Sequence, residues 1–252
     1  MNARLALREL VRRRRVDDPL DWLRFRLDTF PRRESLRRLS STGYQPLPWV
    51  GLEGGKRAAG TESRWHAISS VLDEVDPASA LDLGCNVGYF TLALGERGIP
   101  TVGIEIDPTA YRTALYARRK SGLDHVAILV LRLELPTVDL LPSADAVLFL
   151  SLWHHLVQAH GLEGATAVLE RVWEHTRRVL FFDTGESEMP PSYGLPRMTP
   201  DARTWLTSYL AETCPGAELR HLGVHAAFAP DGSPCTRNLL AVLRSDRRAA
   251  AA

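Results

Sequence analysis

The apolar positions of this chain change their period along its length, and the changes divide it into segments. Near the start, Leu5, Leu7, Leu10 and Val11 recur among arginines over 3–15, and Leu20, Leu23, Leu27 and Phe30 follow, predicting two amphipathic helices. The stretch from Ser40 to Gly60 has no period; Pro46, Pro48, Gly51, Gly54 and Gly55 mark it as an irregular connector, of a length that often carries function. Trp65, Ile68, Leu72 and Val75 then fall on one side of a helix over 62–75. Beyond it, short apolar runs over 80–83, 101–106, 125–131, 145–151 and 178–183 read as strands. Helical patterns over 87–97, 108–121 and 163–175 stand between them, with another over 200–213. Such alternation predicts a parallel sheet with right-handed crossovers. The end of the chain breaks it: 219–228 and 237–243, joined through Pro230-Asp231-Gly232-Ser233-Pro234, read as an antiparallel hairpin. The pattern predicts an α/β protein with a helical cap and connector over 1–60 and a main domain over 61–246.

The first strand-helix junction carries the most specific chemistry. Leu81-Asp82-Leu83-Gly84-Cys85-Asn86-Val87-Gly88-Tyr89-Phe90 reads as a strand delivering Asp82, a glycine-bearing turn, and a helix whose free amides face the turn. Seventeen residues past Gly88 the next strand ends in Glu105, the spacing at which a parallel neighbour offers a carboxylate to a ribose diol. Two hydroxyls against two carboxylate oxygens make a bidentate contact. The turn differs from the dinucleotide-binding one, which needs G-x-G-x-x-G so that a pyrophosphate rests on bare backbone; Thr91 stands in the third glycine's place. With no Lys or Arg beside it, Asp82 suits a cationic ligand better than a diphosphate. Asn86 is tolerable there because asparagine visits positive φ more readily than most residues.

Residues from about 79 to 183 resemble the core of the class I, S-adenosylmethionine-dependent methyltransferase family. The run Asp82-Leu83-Gly84-Cys85-Asn86-x-Gly88-Tyr89-Phe90 is similar to that family's first motif, departing at Asn86, where the commoner form has glycine. The resemblance implies a Rossmann-like, doubly wound sheet of seven strands, mostly parallel and finished by an antiparallel β-hairpin. It also implies S-adenosylmethionine as cofactor and methyl transfer by in-line displacement.

Ligands in open α/β sheets gather outside the carboxyl ends of the strands, near the switch in strand order, so those ends name the candidate site. Asp82, Gly84, Asn86, Gly88 and Tyr89 after the first strand, with Glu105 and Ile106 after the second, are expected to hold the cofactor. Leu133 and Glu134 stand where the resemblance places the adenine contact, and Ser151 ends the fourth strand. Trp153, Asp183 and Glu186 are the candidates for the acceptor, and Tyr89 and Trp153 offer aromatic faces to a sulfonium. His154 and His155 directly follow an apolar strand, where the resemblance implies a histidine beside the transferred methyl. Imidazole takes a proton near neutral pH, so both are candidate bases, and His154 is the one expected to face the pocket. A ring that caps the following helix or bonds the fifth strand is the alternative for either.

At 252 residues the chain is long enough for one well-buried domain with an appendage. A net charge of +1 gives no chain-wide pull toward nucleic acid or membrane, but arginines crowd the first forty residues, Arg12 to Arg15 among them. With Lys56 and Lys120 the only lysines, arginine carries nearly all positive charge everywhere, so that crowding also fits a solvated face. Cys85, Cys214 and Cys235 show no C-x-x-C spacing, which argues for a reducing compartment and against structural zinc; no metal is expected. The run Ala146 to Trp153 is far shorter than the ~20 residues of a membrane span, and a cytoplasmic location is expected. The cap and connector are expected to enclose a small-molecule acceptor, in biosynthesis or secondary metabolism. An RNA acceptor held by the N-terminal arginines is the alternative, and a protein that binds the cofactor without catalysis is a third. The same cradle serves oxygen, nitrogen and carbon acceptors, and nothing in the pattern chooses among them or fixes an oligomeric state.

Overall fold

In the computed structural model, which describes residues 45–245, the alternating half of the chain forms one sheet. Its elements are α1 (Thr61–Val75), β1 (Ala80–Leu83), α2 (Tyr89–Glu96), β2 (Thr101–Glu105), α3 (Pro108–Ser121), β3 (Val126–Val130) and α4 (Leu135–Val138), followed by β4 (Ala144–Leu150), α5 (Trp153–His175), β5 (Thr176–Asp183), α6 (Ala202–Thr213), β6 (Ala217–Phe228) and β7 (Pro234–Arg244). The strand order is β3-β2-β1-β4-β5-β7-β6. The first five strands pair in parallel, and β7 pairs antiparallel with both β5 and β6. The chain runs outward from β1 to β3 and then crosses back to β4, so the order reverses between β1 and β4 and leaves the crevice where such sheets bind ligands. The expected N-terminal helices lie outside the described residues.

Period-two alternation sends the central strands' side chains to both faces. Leu148 of β4 and Phe181 of β5 pack with Ile68 and Leu72 of α1 and Phe90 and Leu94 of α2. Their neighbours Phe149 and Phe182 pack on the other face with Trp153 and Leu169 of α5 and Leu206 of α6. Each such side chain, fully buried, contributes roughly 1.5–3 kcal/mol, which is why β4 tolerates no polar residue between Ala146 and Leu150.

Two elements differ from the pattern. α5 begins at Trp153, ten residues before the predicted 163–175, and is interrupted at Gly161 (φ 72, ψ 174). Trp153, Leu156 and Val157 are its buried face, a helical spacing hidden in the sequence by the apolar strand just before it. α4 is a single turn, too short to show a period. The connector is ordered around short 3-10 turns at Pro48–Val50 and Lys56–Ala58. Its Leu47 packs with Cys85, Val87, Leu92 and Ala114, so from residue 45 onward this segment shares the domain's core.

Candidate active site

The turn after β1 is built from left-handed residues in alternation: Gly84 (φ 73), Asn86 (φ 53) and Gly88 (φ 92). Gly88 caps α2, and a Cβ there would lie 3.1 Å from that of Ala114, so strain and crowding both select glycine. Glu105 fastens this turn to the end of β2. Its Oε2 accepts the Asn86 amide at 2.8 Å, and its Oε1 accepts the Ile106 and Asp107 amides at 2.7 Å each. A carboxylate offers about four lone-pair sites, so three amides leave room for roughly one ribose hydroxyl rather than the symmetric pair expected from the sequence. Asp82, 2 % exposed, accepts the Thr91 hydroxyl at 2.6 Å. Burial pushes its carboxyl from 3.8 up to about 7, opposed by the Thr91 bond and reinforced by Glu105.

Across the crevice, Ser151 directly follows β4 with a left-handed φ of 53 that a non-glycine residue rarely adopts. Asp183 holds it there: Asp183 Oδ1 accepts the Ser151 amide at 2.6 Å and its hydroxyl at 2.9 Å. The other oxygen, Oδ2, pairs with Arg64 of α1 at 2.8 Å, with both side chains buried. Arg237 of β7 bonds Glu188 at 2.8 Å and reaches Ser151 Oγ at 3.3 Å. His154 is buried, with Nδ1 2.9 Å from the Gly185 amide and 3.1 Å from the Thr184 hydroxyl. Its ring lies 4.2 Å from that of the exposed His155, and both lie near Tyr193. Burial foremost lowers the pKa of both histidines, joined by the charge of Arg237 at His155 and by His155 and then Arg237 at His154, which falls well below 6.5.

These two halves face one cavity of about 560 Å³. Asp82, Gly84, Asn86, Glu105, Ile106 and Leu133 line it from the side of β1 to β3, and Ser151, His154 and His155 from the side of β4 and α5. The remaining sequence candidates stand elsewhere. Tyr89 packs its ring against Trp49 and Phe90, so it does not close over the ligand. Trp153 is fully buried among Phe182, Trp205 and Tyr209 and donates its indole N–H to Tyr209, which makes it core rather than acceptor contact. Glu134 caps α4 in a capping box with Thr137. Asp183 and Glu186 are behind the wall, the first bound to Arg64 and Ser151, the second to the main chain and side chain of Asn238. Gly88 acts through the turn alone. The cavity also takes Gln45 and Arg57 from the connector, Arg64 from α1, Tyr193 from the segment after β5, and Arg237 from β7. These residues are scattered over nearly two hundred positions, and only the connector's length signalled that it does more than link.

Residues 81–180 match the family model described as a methyltransferase domain. An Escherichia coli protein, the O-antigen chain terminator bifunctional methyltransferase/kinase WbdD, is 28% identical over 120 residues, covering 47% of this chain and 17% of that protein. The crystal structure of WbdD superposes with a TM-score of 0.62 at 24% identity, over 79% of this chain and 44% of that one. The chain therefore spans less than half of these relatives. The N-terminal domain of EvdMO1, solved in the presence of SAH and D-fucose, gives a TM-score of 0.56 at 16% identity over 86% of this chain and 99% of that one. Magnesium protoporphyrin IX methyltransferase from Synechocystis PCC 6803, solved with SAM bound, gives 0.53 at 16% identity over 73% of this chain and 81% of that one. Within the alternating segment, residues 81–180 are thus similar to a methyltransferase domain, and the sheet that carries them has the Rossmann-like fold of these neighbours.

The cradle suits S-adenosylmethionine, the cofactor that the sequence resemblance implies. The buried Asp82 carboxyl, whose pKa is raised to about 7, would ionise beside a cation, Glu105 would have a lone pair left for a ribose hydroxyl, and Ile106 and Leu133 would wall an adenine ring. Among the described residues no cluster of three or more His, Cys, Asp or Glu side chains could hold a metal ion, and no helix is long and apolar enough to cross a membrane. The arginines on which an RNA acceptor would rest lie outside the described residues.

Proposed function

We propose that the protein transfers the methyl group of S-adenosylmethionine to a small-molecule acceptor. The observation that carries this reading is the two-ended cavity, whose volume of about 560 Å³ lies within the range of small-ligand sites. When bound, the cofactor supplies an electrophilic methyl on a sulfonium centre. The chain's own residues do the rest. Gly84, Asn86 and Glu105 hold the cofactor's position, and Asp82 places negative charge nearby. Ser151, pinned by Asp183, and the two histidines shape the acceptor end, while Tyr193 and the connector's Gln45 and Arg57 wall it from water. Alignment and dehydration of the nucleophile are the main sources of rate in such a displacement. The D-fucose present with EvdMO1 and the porphyrin named for the Synechocystis enzyme support a small acceptor, since both folds match this one. Free thiols at Cys85, Cys214 and Cys235 support a cytoplasmic setting.

Titration calorimetry with S-adenosylmethionine, followed by transfer of labelled methyl to fractionated host metabolites, tests the reading. Saturable binding and label in a low-molecular-mass fraction are expected. Label only in RNA would replace the acceptor class, and no transfer to any fraction would leave a cofactor-binding protein.

A further inference from the structure

The neighbours of His154 decide what its ring can do. An amide N–H only donates, so the 2.9 Å contact from Gly185 makes Nδ1 the acceptor and puts the ring proton on Nε2. The Thr184 hydroxyl, 3.1 Å away, is placed to share the same lone pair. The two ring nitrogens diverge, so Nε2–H points away from Gly185, and the ring lines the cavity. Burial foremost, then His155 and Arg237, keeps a second proton off the ring at neutral pH. His154 thus has a proton to offer and no lone pair with which to take one.

We propose that His154 meets the methyl acceptor as a fixed hydrogen-bond donor, and that the acceptor atom is oxygen. The inference rests on methyl transfer to a small molecule and deepens it. A neutral amine has one lone pair, which must face the methyl carbon to react, and an N–H aimed at that pair blocks the attack. The same holds for a carbanion. An oxygen has a second lone pair, so it takes Nε2–H and still attacks. The new O–C bond forms as the C–S bond breaks, with its electron pair left on sulfur. Where the acceptor is a hydroxyl, its proton passes to His155, which is neutral and exposed and whose main-chain amide, not its ring, bonds Leu152. His155 is then the base, and His154 positions and polarises.

The tautomer is measured without any acceptor, by heteronuclear NMR of the imidazole nitrogens in the full chain, with His154 assigned from its loss in His154→Gln. An Nε2–H pattern unchanged between about pH 5.5 and 8.5 is expected. An Nδ1–H tautomer, or titration within that range, overturns the donor role. With S-adenosylmethionine carrying an isotope-labelled methyl and host metabolite extract, the product signal should fall in the O-methyl region; an N-methyl or C-methyl product overturns the oxygen assignment. His154→Ala should lose about 100-fold in kcat/KM, and His154→Gln, whose amide donates but takes no proton, should recover at least about 10-fold of it. Equal loss in both folded variants speaks for a base and against the proposal. Absence of transfer in every fraction fails the proposed function and the oxygen assignment together, while the tautomer still decides the donor role.

Discussion

Burial brings the titration of Asp82 close to neutral pH. Its folded pKa of about 7 exceeds its unfolded value of 3.8, so the folded state binds the extra proton between them. Its contribution to stability is full below the unfolded value and is lost as pH rises through about 7, a loss of roughly 4 kcal/mol in all. Asp82→Asn should therefore flatten the decline in unfolding free energy that the native chain shows over that window, as read by urea titration. A cationic ligand reverses the sign, because it favours the ionised carboxylate. The affinity ratio of S-adenosylmethionine to its neutral-sulfur product should then rise between about pH 6 and 8, and calorimetry giving a flat ratio would reject a charge role for Asp82. Glu105→Gln, which keeps shape but loses charge on three amides, should weaken cofactor binding about 10-fold or more. Asp82, Gly84 and Glu105 were legible in the sequence because backbone geometry fixes their spacing. Tyr89 and Trp153 were not, since an aromatic at a strand end has the same pattern whether it faces a ligand or the core.

At the scale of elements, one buried ion pair ties the start of α1 to the end of β5. Arg64→Ala would strand the Asp183 carboxylate, 1 % exposed, without its cation and loosen the Ser151 turn that it holds. A loss of about 3–5 kcal/mol is expected in denaturant titration, together with a fall in activity, whereas a change below about 1 kcal/mol would show the pair to be solvated. The sequence showed most elements because burial on one or two faces writes a period into them. It hid the start of α5, where strand and helix are apolar in succession, and α4, which has too few residues for any period. It also gave no sign of Arg237, whose place in the site depends on a hairpin folding back beside β5.

Across the whole molecule, the connector is structural as well as a wall of the site. Leu47, 1 % exposed, should cost about 2–5 kcal/mol when cut to alanine, and cofactor at 100 times its Kd should return about 2.7 kcal/mol of apparent stability. Thermal melts of Leu47→Ala with and without S-adenosylmethionine check both figures; no loss would detach the connector from the core. The sheet order has a consequence in time. β7 is the last of the seven strands along the chain, yet it lies between β5 and β6. While the nascent polypeptide is still leaving the ribosome, β6 has no partner and one edge of β5 stays open until residues 234–244 emerge. That interval concentrates the protein's exposure to aggregation and its need of chaperones, so substitutions in this late strand should lower soluble yield more than their effect on the finished fold would suggest.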